Sequence, residues 1–228
     1  MKREVIVLAC LIGFFLVFPP AFIAGVIVFP QERVVNVSGS LLVLHVDAHL
    51  VNLPKSNNMN TQIRKIIEET NQIWERFGIS LDVWNISSIK VKDEIARAGK
   101  LTGNLNKDLE ELGEQVGEKF HDRYVDVFII ERFNDESLAG KGLVSGDKRI
   151  GAVFVSLQDF DPWVTAHELG HVLGLSDICT ANLMIWDAEI CSAWVFKTLF
   201  HPTNLTQEQV KTASGYVRSR FVYVEKFS

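Results

Sequence analysis

Basic charge is the first thing this chain is short of. Its 228 residues carry 23 Lys and Arg against 28 Asp and Glu, a net charge of −5, and the cations form no cluster. Phosphate contacts need clustered Lys and Arg, so no nucleic-acid partner is expected. Internal repeats, low-complexity runs and long charged tails are also missing, which leaves one folded domain as the simple expectation. Cysteine is scarce, at three residues. Cys10 falls in an apolar run, so Cys179 and Cys191 remain as a disulfide pair or as two free thiols.

Long apolar runs are absent except at the start. Residues 5–29 are uncharged and almost wholly apolar, longer than the roughly 20 residues that cross a bilayer as a helix. Lys2 and Arg3 precede the run and favour a cytoplasmic N-terminus. Pro19 and Pro20 either kink such a helix or end it. In the second case Val5–Phe18 is the core of a cleavable signal peptide. Membrane anchoring through residues 5–29 and secretion after cleavage both place the remainder outside the cytoplasm. That setting permits the Cys179–Cys191 disulfide, and the sequons at Asn36, Asn85 and Asn204 are compatible with it. The expected organisation is residues 1–30 as signal anchor or signal peptide, 31–39 as linker, and 40–228 as the folded domain.

What the chain does have is a metal-binding pattern at residues 167–177, His-Glu-Leu-Gly-His-Val-Leu-Gly-Leu-Ser-Asp. Residues four apart lie one turn above each other on a helix face, so His167 and His171 can aim two imidazoles at one ion. Glu168 beside them is a carboxylate able to take a proton from a metal-activated water, acting as general base. Asp161 and Pro162 form an N-cap and first-turn pair. Gly174 sits where helices often stop with positive φ. A chain turning there returns Asp177 over the same ion as a third ligand, and three protein ligands leave a coordination position free for catalysis. Cys179, Asp187 and His201 are the other candidates for that third place.

The run His167-Glu168-x-x-His171-x-x-Gly174-x-x-Asp177, followed by Ala181-Asn182-Leu183-Met184, resembles the metzincin clan of zinc endopeptidases, and most of all its matrixin branch. In that clan the third ligand is usually His, and a minority use Asp. The resemblance implies one catalytic Zn2+, a Met-turn at Met184 beneath it, and a polypeptide substrate. It also implies an α+β fold: a twisted mixed five-stranded sheet with three main helices, here preceded by the transmembrane or signal helix. Leu138–Val144 falls where the clan has the edge strand of the cleft, which makes Gly142 and Leu143 candidate substrate-binding residues. Gly140 and Gly142 would let a substrate backbone approach closely. Trp186 falls where the specificity-pocket wall passes, or else fills core. Whether structural Ca2+ is present, and the oligomeric state, are not legible.

Apolar spacing predicts strands over 41–51, 79–86, 124–130 and 150–157, and helices over 59–77 and from Thr206, with Gln209 completing a capping box. Residues 105–120 read as a solvated helix or an insertion. His45, Asp47 and His49 alternate on one strand face, and read as the polar side of a half-solvated strand rather than as a second metal site. The expected activity is hydrolysis of extended polypeptides outside the cytoplasm by a zinc endopeptidase. Its rival is a catalytically inactive zinc-binding or interaction module anchored at the membrane.

Overall fold

The computed structural model describes residues 41–91, 124–133, 139–144, 151–177, 183–184, 204–221 and 223–226. The chain divides into two units, 1–34 and 35–228, and every described residue lies in the second. The apolar run 5–29, the linker 31–39 and the predicted helix over 105–120 lie outside the described residues. Among the described residues, no helix is long and apolar enough to cross a membrane.

Three strands rich in Val, with Leu in the first and Phe in the other two, form the middle of the sheet. They are β1 (Leu41–Val51), β3 (Val125–Ile130) and β5 (Gly151–Ser156), joined by β2 (Ile79–Ile89) and β4 (Gly140–Val144) in the order β2-β1-β3-β5-β4. The β1–β2, β1–β3 and β3–β5 pairs are parallel, and β4 runs antiparallel to β5. This is the expected mixed five-stranded sheet. A short sixth strand, β6 (Tyr223–Lys226), pairs antiparallel with Leu41–Leu44, beyond the part of β1 that meets β3. Its four residues follow a helix too closely for an alternating pattern to develop, and the sequence gives no sign of it.

Helix α1 (Asn57–Glu75) is capped by the Ser56 hydroxyl and buries Ile63, Ile66, Ile67, Ile73 and Trp74. That spacing is an apolar stripe facing a core. The stripe belongs to one core with Leu42, Leu44, Val46, Ala48 and Leu50 of β1 and Val153 and Val155 of β5. The Trp74 indole N–H donates to the Ala166 carbonyl at 3.2 Å, tying α1 to helix α2 (Pro162–Val172). Helix α3 (Gln207–Arg220) begins at the predicted capping box of Thr206 and Gln209. It contributes Val210, Ala213 and Val217 to the same core.

The second sheet face corrects one expectation. His45, Asp47 and His49 are 9%, 8% and 5% exposed, so they do not form a half-solvated polar side. The face they share is itself covered, and carries a second apolar cluster of Val51, Phe128, Ile130, Ala152 and Phe154. The polarity of His49 is met internally. The His49 ring nitrogens lie 2.8 Å from Ser87 Oγ and 2.8 Å from Asp126 Oδ1, and the ring stacks on Phe128. The His45 ring packs against Trp84 with centroids 4.1 Å apart and planes tilted by 46°.

Candidate metal centre

Strand β5 ends in a short 3-10 turn, Leu157–Asp159, that delivers the chain into α2. The Asp161 carboxylate accepts from the Trp163 and Val164 N–H groups at 2.7 and 2.9 Å. It therefore satisfies two of the donors that a helix start leaves orphaned. The other end closes as a Schellman motif: Gly174 N–H bonds to His171 O at 3.0 Å and Leu175 N–H to Gly170 O at 2.9 Å. Gly174 has φ +82, and a Cβ there would run into the Tyr216 ring. Only glycine meets both conditions comfortably. The turn reverses the chain and brings Asp177 back to the helix.

Three ligand atoms then converge. Asp177 Oδ1 lies 3.3 Å from His167 Nε2 and 3.4 Å from His171 Nε2. One ligand atom from each residue falls within 4.8 Å of the others, the sole such group of His, Cys, Asp or Glu among the described residues. The opposite ring nitrogens are anchored to backbone. His167 Nδ1 lies 2.8 Å from Leu183 O, and His171 Nδ1 lies 3.0 Å from Leu175 O. A carbonyl only accepts, so each Nδ1 carries a proton, and each ring when neutral turns a lone pair on Nε2 toward Asp177.

Two lone pairs and a carboxylate oxygen at these distances repel one another unless a cation or a proton lies between them. Asp177 Oδ1 is a buried oxygen with no hydrogen-bond partner among the described residues. Nitrogen and oxygen donors converging in this way fit Zn2+. The electrostatics of the group express the same tension. Burial pushes the Asp177 carboxyl up, but the His167 and His171 rings facing it win and hold it well below the ordinary carboxylate range. Burial pulls His171 down, and the Asp177 and Glu168 carboxylates with the Leu175 carbonyl outweigh it, so its pKa is raised.

Glu168 is buried beside this group. Burial raises its pKa, against the opposing pull of His167, His171 and the Gly142 N–H. That N–H, on β4, donates to Glu168 Oε2 at 2.6 Å. Met184 is fully buried, and its sulfur occupies the space that a side chain on Gly170 would need. It therefore lies against α2, and its neighbour Leu183 supplies the carbonyl for His167. Trp163 stacks on the His167 ring with centroids 5.5 Å apart.

The sequence-predicted residues are thus distributed plainly. His167, His171 and Asp177 are brought together, with Glu168 and Met184 beside them. Gly142 contacts Glu168, while the Leu143 side chain packs on the opposite sheet face with the Phe128 and Phe154 cluster. Trp186, Cys179, Cys191, Asp187 and His201 lie outside the described residues. The carbonyl anchors of the two rings and the Gly142 contact escaped the sequence reading. Glu168 and Gly142 are 26 residues apart, and no local pattern couples them.

A buried α+β scaffold presenting two imidazoles and a carboxylate beside a buried glutamate has the build of a zinc metallopeptidase. The family model described as metallo-peptidase family M12 matches residues 39–197, and the chain belongs to that family. A zinc cofactor and polypeptide substrates come with this membership. The match does not single out the matrixin branch. Among solved structures, archaemetzincin from Methanopyrus kandleri is similar at 12% identity over 77% of this chain and 96% of that one, with a TM-score of 0.49. Metalloproteinase-II from Bacteroides fragilis is similar at 13% identity over 77% and 53%, with a TM-score of 0.45. No match was found among curated protein sequences.

Proposed function

We propose that this metallopeptidase is an endopeptidase that hydrolyses extended polypeptides outside the cytoplasm, with His167, His171 and Asp177 holding Zn2+ and Glu168 as general base. The observation that carries the reading is Asp177 Oδ1, a buried oxygen between two Nε2 atoms at 3.3 and 3.4 Å. When bound, Zn2+ would supply Lewis acidity, activating a water and polarising the scissile carbonyl.

This chain's own residues do the rest. Glu168 takes the proton of the attacking water and hands it to the leaving amine. Its burial raises its pKa, which brings it nearer the range where a carboxylate can both accept and return a proton at neutral pH. The Leu183 and Leu175 carbonyls fix the tautomer of each ligand ring. Among the described residues β4 is the last strand of the sheet, so its outer edge, apart from the Gly142 N–H that Glu168 takes, can receive an extended peptide by β-augmentation. That mode of binding suits cleavage within a chain, hence endopeptidase.

The location rests on the apolar run 5–29 behind Lys2 and Arg3, as a retained anchor or a removed signal. The proposed division is 1–30, 31–39 and 40–228. It agrees with the family match from residue 39 and with β1 starting at Leu41. The test is turnover of casein by the full chain, before and after chelation and after zinc is returned. Activity that chelation removes and zinc restores is expected. A zinc-loaded protein that cleaves nothing would leave it an inactive binding module.

A further inference from the structure

The outer edge of β4 has a feature that metal binding does not require. Ala139 O accepts from Ser156 N–H at 3.1 Å, and peptide groups along a strand alternate in direction. Lys141 and Leu143 therefore turn theirs toward β5, and Gly140, Gly142 and Val144 turn theirs toward the outer edge, which no strand covers among the described residues. The central outward donor, Gly142 N–H, is taken by Glu168 Oε2 at 2.6 Å. Gly140 lies under the same side chain. A Cβ at 140 would stand 2.6 Å from Glu168 Cγ and 3.1 Å from its Cδ and Oε1. All three nearest atoms belong to Glu168, and none is backbone.

The geometry points to Gly140 and Gly142 as positioning residues for Glu168. Gly142 supplies the donor that aims the carboxylate, and Gly140 supplies the empty space in which its stem lies. A glutamate side chain has several rotatable bonds, and a general base must hold its oxygen within hydrogen-bond reach of the proton it takes. A charge-assisted bond to a backbone donor on a sheet fixes that position, and it can form only while the stem lies flat on β4. A side chain at 140 levers the stem away and breaks the bond, leaving the ligands His167, His171 and Asp177 where they are. Position 142 is a less informative place to probe, because a Cβ there meets the Glu168 backbone carbonyl and would shift the helix itself. This inference rests on Glu168 being the base.

The test is a double-mutant cycle in the full chain with Gly140→Ala, Glu168→Ala and both together. Gly140→Ala is expected to lower kcat about 10–100-fold, the cost of a misplacement near 1 Å, with KM and zinc content unchanged. It should also lower Tm, and this loss should vanish when Glu168→Ala is present, because the clashing atoms are gone. Native kcat and Tm in Gly140→Ala, with Glu168→Ala inactive, would overturn the positioning role and leave the base intact. Equal Tm losses in both backgrounds, or loss of zinc, would show a strand defect and overturn it as well. If Gly140→Ala fails to fold alone but folds with Glu168→Ala, the inference stands; if neither folds, it falls. Native turnover by Glu168→Ala alone would instead remove the base reading itself.

Discussion

Two groups of histidine and aspartate sit on opposite faces of the same sheet, and they have contrary designs. On one face, His167, His171 and Asp177 tie their outer ring nitrogens to backbone carbonyls and turn Nε2 and Oδ1 toward one point. On the other, His49 spends both ring nitrogens on side chains, Ser87 and Asp126, and its group provides no convergent set of three ligand atoms. Both have regular spacing, four on a helix and two on a strand. The difference is in what satisfies the rings. A histidine anchored from behind by backbone keeps a lone pair for an ion, while one held by partners on both sides is part of the core. Burial runs the same way: Asp177 keeps 28% of its side chain exposed, whereas Asp126 keeps 1%.

The contrast is broken most directly by mutation on each side. Glu168→Ala should lower kcat by about 10²–10⁴-fold, the range for general acid–base catalysis, while zinc content by metal analysis stays at the native level. His49→Ala should do the reverse. It removes one partner of a buried pair and should cost about 3–5 kcal/mol of stability, measured by urea unfolding, with zinc stoichiometry unchanged. Loss of zinc in His49→Ala would merge the two groups into one functional unit.

Smaller changes sharpen the comparison. Asp177→Ala should weaken zinc binding by more than the roughly 10–100-fold typical of an outer-shell substitution, measured by competition with a chelating dye. A shift below tenfold would point to a different third ligand.

The smallest expected effect is on the pH dependence of the metal-free fold. Asp177 is held low, so its stabilisation is present above the ordinary carboxylate pKa of about 4 and is lost as pH falls. His171 is raised, so its stabilisation is present below the ordinary imidazole value of about 6.5 and is lost as pH rises through the folded value. Both operate between about pH 4 and 6.5, where the metal-free protein should have its highest Tm. Zinc should stabilise most above that window, where protons no longer compete for the rings. A metal-free Tm that climbs steadily to about pH 8 would contradict the pairing of His171 with Asp177.

The three candidate ligands were legible in sequence because they are local. Asp161 caps, His167 and His171 share a face, Gly174 turns the chain, and Asp177 follows within three residues. The sheet was legible where apolar residues alternate or run together, as in β3 and β5. The burial of β1 on both sides was not, because the polar letters of His45, Asp47 and His49 imitate a solvated face. Their partners lie 38 and 77 residues from His49, and spacing carries no trace of such distances. Gly140 and Gly142 were recognisable as places of close approach. The sequence suggested a substrate backbone as the visitor, and the structure seats Glu168 there.

Anomalous diffraction at the zinc edge from crystals of the zinc-loaded protein tests the centre most directly. The expected result is one ion bound by His167 Nε2 and His171 Nε2 at about 2.0–2.1 Å and by an Asp177 oxygen at about 2.0–2.2 Å. An ion held elsewhere, or ligated through Nδ1 with the Leu183 and Leu175 carbonyl bonds broken, would contradict it.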